Sequence, residues 1–282
     1  MTMKVGLSLG GGGARGYAHI GAIKALNEAK ISVDLINGTS IGAIVGGAYA
    51  LYANTEKLIT LVEEVVHKVN VDYFNIFRYS SESQSFLRDW LINAACDLAS
   101  LRKSIFNNKN NQKALEIIFG DYSFSDTKIP FSSVAVDLIA GKVVIINKGK
   151  LIDGILPSIS IPGIFPPTEQ DERLLVDGYV LANIPVVELR KQGADFIIAI
   201  NLVMDAEEGY QNGFDLMNNI ELLKQQQLDQ WEMDEANFAV TIHLPGFNSM
   251  RFDNYEVAIT HGYEIVKKII PRLKRRLSSI NV

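Results

Sequence analysis

Short apolar runs alternate along this chain with stretches of helical spacing, the pattern of a parallel sheet covered by helices. Residues 5–9 predict a strand, and Ile20, Ile23 and Leu26 recur at near-helical spacing in a helix over 17–29. Residues 33–37 predict a second strand, followed by a turn and a helix over 41–53. Further strands are expected at 133–136, 143–147, 174–176, 196–201 and 238–243. Further helices are expected at 58–69, 84–100, 112–119, 185–192, 218–235 and 255–277. No repeat or long linker interrupts the 282 residues, so the pattern predicts one α/β domain.

One apolar run competes with that picture. The 21 residues between Asp34 and Glu56 carry no charge, a length that spans a bilayer. They include Asn37, Thr39, Ser40 and Asn54 with Gly38, Gly42, Gly46 and Gly47, which favours a buried strand followed by a buried helix. The N-terminus lacks the long apolar stretch and cleavage site of a signal peptide. The single cysteine, Cys96, excludes an intrachain disulfide and a Cys-rich zinc site. Together these predict a reducing, cytoplasmic compartment. A formal charge of −5 argues against a nucleic-acid partner.

Eleven of the 22 glycines fall in the first 50 residues, where they gain chemical meaning. Gly10 to Gly13 and Gly16, with Ala14 and Arg15 between, connect a strand to a helix. Such a loop brings backbone N–H groups close to an anion, and the helix N-terminus adds partial positive charge. That anion is either a cofactor pyrophosphate or the oxyanion of an acyl-transfer reaction. Gly11, Gly13 and Gly16 satisfy G-x-G-x-x-G, with Asp34 about 20 residues on, as in a dinucleotide fingerprint. Against it, Asp34 opens the second strand rather than closing it, and Arg15 fills a loop position. A tight turn without a ligand also fits.

Gly38-Thr39-Ser40-Ile41-Gly42 is a G-x-S-x-G sequence between a strand and a helix. In that context the glycines permit a strained turn that presents the serine hydroxyl, with the helix N-terminus stabilising negative charge nearby. The alternative is an ordinary serine N-cap. A nucleophile needs a base. The chain offers His19, His67, His243 and His261, and the order Ser40, Asp177, then His243 or His261 would fit an α/β-hydrolase, although residue 40 is early for that fold. Asp177 falls at the end of an apolar strand, where parallel sheets place working residues, and Asp177-Gly178 is also a common turn dipeptide.

The 11–16 glycine loop, the 38–42 serine box and Asp177-Gly178 together resemble the three signature motifs of patatin-like phospholipases. The likeness extends to Val136-Asp137-Leu138 with Gly141, to the stretch 158–167, and to Gly193-Ala194-Asp195. It is similar to the bacterial-type branch related to neuropathy-target-esterase catalytic domains. The resemblance implies a three-layer α/β/α patatin-like fold with a mostly parallel central sheet over residues 1–282. It implies a serine lipid acyl hydrolase acting on phospholipid, lysophospholipid or other fatty-acyl esters, with no cofactor, metal or calcium. Ser40 would be the nucleophile and Asp177 the base of a Ser–Asp dyad, with oxyanion donors around Gly11, Gly12 and Gly13. Arg15, Gly16, Gly38, Gly42 and Gly178 would support the motifs, Arg15 by stabilising the loop or a headgroup. Two departures stand out: Tyr179 follows Gly178 where the family often has Gly or Ala, which leaves open a catalytically idle regulatory relative, and Pro157 replaces a small residue.

Lys267, Lys268, Arg272, Lys274, Arg275 and Arg276 crowd the last helix beside Ile265, Ile269, Leu273 and Leu277. This reads as a terminal helix docked by its apolar stripe, or as a helix making transient contact at the inner membrane surface. Tyr73, Phe74, Phe77, Tyr79 and Phe86 suggest an acyl-channel wall, a lid or core packing.

Overall fold

The computed structural model describes residues 3–69, 104, 106–203, 213–247 and 252–279. The aromatic stretch from Tyr73 to Phe86, the helix expected over 84–100, and Cys96 lie outside them.

Eight strands form one sheet: β1 (Val5–Leu9), β2 (Leu35–Thr39), β3 (Phe131–Asp137), β4 (Lys142–Ile146), β5 (Thr168–Gln170), β6 (Arg173–Asp177), β7 (Phe196–Val203) and β8 (Phe238–His243). Strands β3, β2, β1, β7 and β8 are neighbours in that order and all parallel. β4 and β6 pair antiparallel with β3, and β5 antiparallel with β6. The helices are α1 (Ala18–Glu28), α2 (Ile41–Tyr52), α3 (Thr55–Lys68), α4 (Lys109–Phe119), α5 (Leu151–Ser158), α6 (Val186–Lys191), α7 (Gly213–Asp234) and α8 (Tyr255–Ser278).

Strand alternation distributes the core between two faces. On β7, Ile198, Ile200 and Leu202 join α1, α2 and α8 in the larger core, while Ile197 and Ala199 face α6 and Met233 of α7. The chain is therefore a three-layer α/β/α fold with a mostly parallel sheet. The uncharged run 35–55 divides into β2 and the twelve-residue α2, and among the described residues no helix is long and apolar enough to cross a membrane.

The antiparallel pairing corrects one expectation. Residues 133 and 134 pair with both β2 and β4, and 135 to 137 with both β4 and β6. A strand has only two edges, so β4 occupies one and β2 and β6 share the other end to end. β6 therefore reaches the site from beyond the end of β2, running against the parallel strands.

α8 packs along α1 so closely that Gly21 and Gly262 admit no side chain: a Cβ at either would meet backbone of the other helix. It starts beside Tyr17, whose ring is 6.1 Å from that of Tyr255. It ends with the Arg272 guanidinium 5.5 Å from the Phe238 ring, at the start of β8. The basic residues 274 to 276 therefore lie at the end of the sheet opposite Ser40; of the expected apolar stripe Leu273 is buried, and Ile265, Ile269 and Leu277 are half-buried against the core.

Candidate active site

β2 ends at Thr39, and Ser40 turns the chain into α2 with φ 56° and ψ −126°. A non-glycine residue at positive φ stores on the order of 1–3 kcal/mol that its surroundings must hold in place. Ser40 N–H donates to Ser158 Oγ at 3.0 Å, and Ser158 Oγ–H donates to Val134 O at 2.6 Å. Thr39 Oγ1–H donates to Ala182 O at 2.7 Å. A Cβ at Gly38 would strike the Gly42 carbonyl, and one at Gly42 would strike the Leu9 carbonyl. Both glycines are therefore demanded by backbone lying against backbone. Ser40 occupies the N-cap position of α2, yet its side chain makes no capping hydrogen bond. The ordinary N-cap reading thus fails, and the hydroxyl is free for other chemistry.

Asp177 ends β6 in register with Ala135, one residue along β3 from the Val134–Thr39 pair. Gly178 makes the approach possible: a Cβ there would lie 2.5 Å from Val134 O and 2.9 Å from Thr39 Cγ2. The Asp177 side chain is fully buried. Its Oδ1 accepts from Tyr179 N–H at 3.0 Å, whereas Oδ2 has no fully formed hydrogen bond among the described residues. Burial pushes its pKa up from 3.8 to about 7, against the opposing pull of the Tyr179 N–H and the Ser40 hydroxyl. The Ser40 hydroxyl thus lowers the carboxyl's pKa, although no hydrogen bond reaches Oδ2 among the described residues.

The glycine loop lies alongside. A Cβ at Gly11 would sit 3.3 Å from Ser40 Cβ, and one at Gly16 would strike Ile41. Gly11 N–H is already engaged, donating to Asn183 Oδ1 at 3.1 Å and to Asn183 O at 3.2 Å. This removes Gly11 from the three expected oxyanion donors. Gly12 and Gly13, at φ 153° and 59°, have N–H groups without a partner among the described residues. Arg15 is 5% exposed; its Nε donates to Gly12 O at 3.3 Å and Nη1 to Val203 O at 3.1 Å. It thus ties the loop's Gly12 carbonyl to the end of β7 from inside. Because a trans peptide points its C=O and N–H oppositely, holding the Gly12 carbonyl also aims Gly13 N–H.

The competing constellations come apart. Asp34 caps the opposite end of β1, its Oδ2 accepting from Val5 N–H at 2.8 Å, and so cannot serve a ribose beside Gly11. His261 Nε2 is 2.8 Å from His243 O, and His19 Nε2 is 2.8 Å from Gly10 O. No histidine is bonded to Ser40 or Asp177 among the described residues. Tyr179 is half-buried, its hydroxyl pushed up to about 12 by burial and by the Asp177 and Glu221 charges. The contacts from Ser158 to Ser40 and from Asn183 to Gly11 span 118 and 172 residues, so sequence reading assigned neither.

Residues 7–190 match the family model for patatin-like phospholipases. An NTE family protein of Mycobacterium tuberculosis is 35% identical over 199 residues, covering 71% of this chain and 49% of that protein. Neuropathy target esterase sws of Drosophila melanogaster is 33% identical over 216 residues, 76% of this chain and 13% of that protein. The chain thus spans about half the length of the mycobacterial relative and a small part of the fly one. The crystal structure of VipD from Legionella pneumophila shares the fold, with a TM-score of 0.54 and 14% identity over 96% of this chain and 67% of that one. With the glycine loop, the serine elbow and Asp177 inside or bordering one another in the matched region, the chain belongs to the patatin-like phospholipase family.

Proposed function

We propose that this chain hydrolyses carboxylic esters of membrane lipids through an acyl-enzyme on Ser40, with Asp177 as its base and no metal ion. The observation that carries the reading is the pairing of a strained, uncapped Ser40 with a fully buried carboxyl whose pKa lies at about 7. An aspartate of pKa about 3.9 is a feeble base for a serine hydroxyl, and burial narrows that gap.

Ser40 Oγ attacks the ester carbonyl as its proton passes to Asp177. The carbonyl oxygen becomes an oxyanion held by Gly12 and Gly13 N–H, supported by the start of α2. Collapse expels the alcohol, which takes the proton from Asp177, and leaves the acyl group on Ser40. Water then attacks; Asp177 removes its proton, the second oxyanion collapses, and Ser40 leaves with that proton as the fatty acid departs. The donors at Gly12 and Gly13 work only if the loop is fixed, which supports Arg15 as a brace rather than an acid or base. Lipid reaches Ser40 over the C-terminal ends of β1 and β2, away from the basic end of α8.

The decisive test is labelling by a fluorophosphonate and turnover of a p-nitrophenyl ester. Both are expected to vanish in Ser40→Ala, to survive a calcium chelator, and to persist in His243→Ala and His261→Ala. Labelling that continues unchanged in Ser40→Ala would sink the reading. Lipids consumed from a total extract, with Ser40→Ala as control, identify the physiological ester.

A further inference from the structure

Resting on that reading, we infer that Asn183 and Asp229 are positioning residues that set the oxyanion loop from the opposite layer of the fold. The Gly10–Gly11 peptide is gripped from both sides. His19 Nε2–H donates to Gly10 O at 2.8 Å, and Gly11 N–H donates to Asn183 Oδ1 at 3.1 Å. A carbonyl only accepts, so the His19 proton sits on Nε2. Burial lowers its pKa to about 4, which keeps the ring neutral and that donor constant.

The Asn183 grip depends on α7. Asn183 Nδ2 donates to Asp229 Oδ1 and Oδ2 at 3.0 and 3.1 Å, and Gln225 Nε2 donates to Asp229 Oδ1 at 2.8 Å. Both Asp229 oxygens accept from the amide nitrogen of Asn183, which leaves the amide oxygen toward Gly11. An amide at position 229 removes that preference. Asn183 then has two orientations, one of which sets its NH₂ against the Gly11 N–H, donor against donor. The Gly10–Gly11 peptide is next to the one that carries the Gly12 N–H. Asp229 therefore reaches the oxyanion donors through a chain of hydrogen bonds without touching substrate.

The chain predicts a swap. Asn183→Asp alone places two carboxyls face to face, and Asp229→Asn alone frees the amide orientation. Together they restore an acceptor toward Gly11 and a donor–acceptor pair between positions 183 and 229. Each single variant is expected to lower kcat for a p-nitrophenyl ester about tenfold with KM within about twofold, below the 10²–10³ typical for losing an oxyanion donor outright. The double variant is expected to return within about threefold of the parent, as two groups in direct contact should couple, with the loss and recovery carried by kcat rather than KM. Rates are normalised to sites labelled to completion by fluorophosphonate, so a variant that folds in lower yield is not scored as slow. Either single variant with parental kcat, or a double variant no better than the worse single, overturns the relay. Hydrolysis persisting in Ser40→Ala overturns instead the reading on which the relay rests.

Discussion

Ser40 follows, and Asp177 ends, two strands that meet head to head on one edge of β3. Thr39 pairs with Val134 and Asp177 with the next residue, Ala135. Ser40 leaves the end of β2 just as the Asp177 carboxyl arrives at the end of β6, and β3 acts as the ruler that fixes their separation. Because β6 is antiparallel, its last residue reaches the level of the parallel strands' C-terminal ends from the far side. Gly178 then turns the chain away without a side chain to push Thr39 aside.

That arrangement predicts an unusual pH profile. A base must be deprotonated to act, so kcat/KM is expected to fall about tenfold per unit below an apparent pKa near 7, the value for Asp177. A limb near 4 would show an ordinary exposed carboxylate at work instead. Steady-state rates on a neutral ester between about pH 5 and pH 9 measure it.

The same burial makes Asp177 costly to keep. Its folded pKa of about 7 lies above the unfolded 3.8, so the native state binds the proton more tightly and stability falls as pH rises through that window. The full loss, on the order of 4 kcal/mol, is present above about pH 7. Asp177→Asn is expected to lower kcat about 10³-fold while raising Tm by about 5 °C at pH 8. Thermal unfolding at about pH 4, where the two chains should differ little, supplies the control.

Ser158 holds the strained elbow by accepting from Ser40 N–H and donating to Val134 O. Ser158→Ala leaves both buried groups unpaired and is expected to destabilise by about 2–3 kcal/mol. A kcat loss of about tenfold should accompany it, because Ser40 is then free to relax from φ 56°. Urea titration and active-site-normalised rates read the two effects separately.

Arg15→Lys is expected to behave as a disruptive change. The guanidinium spans Gly12 O and Val203 O through two nitrogens, whereas an ammonium offers one compact charge. A fall in kcat of about tenfold or more with little change in KM is expected. A rise in KM alone would place Arg15 against the lipid headgroup.

Gly42→Ala tests the packing of the elbow on β1. A Cβ there would strike the Leu9 carbonyl, and backbone cannot move aside as a flexible side chain can. A stability loss of about 3 kcal/mol is expected by urea denaturation.

The order of strands and helices was legible because burial imposes a local period on the residues. The strand at 238–243 matches β8, and the expected helix over 41–53 differs from α2 by one residue. The second strand falls at Leu35–Thr39 rather than 33–37, which moves its end directly to Ser40. Two elements had no such signal. α5 contains Gly154 and Pro157, both helix-breaking by propensity, and β5 is three polar residues long.

The sequence by itself determined the chemistry's components: a glycine loop, a serine between two glycines at a strand–helix junction, and an aspartate before a glycine. Local composition carries these because each needs particular residues within a few positions of one another. Only the tertiary structure decided that β6 runs antiparallel, that Ser40 is uncapped, and that Gly11 N–H is spent on Asn183 while Gly12 and Gly13 remain without such partners among the described residues. Those outcomes depend on burial and on hydrogen bonds between residues far apart in the chain. Such contacts leave no period in either segment, and the pKa of a carboxyl is set by what surrounds it in space.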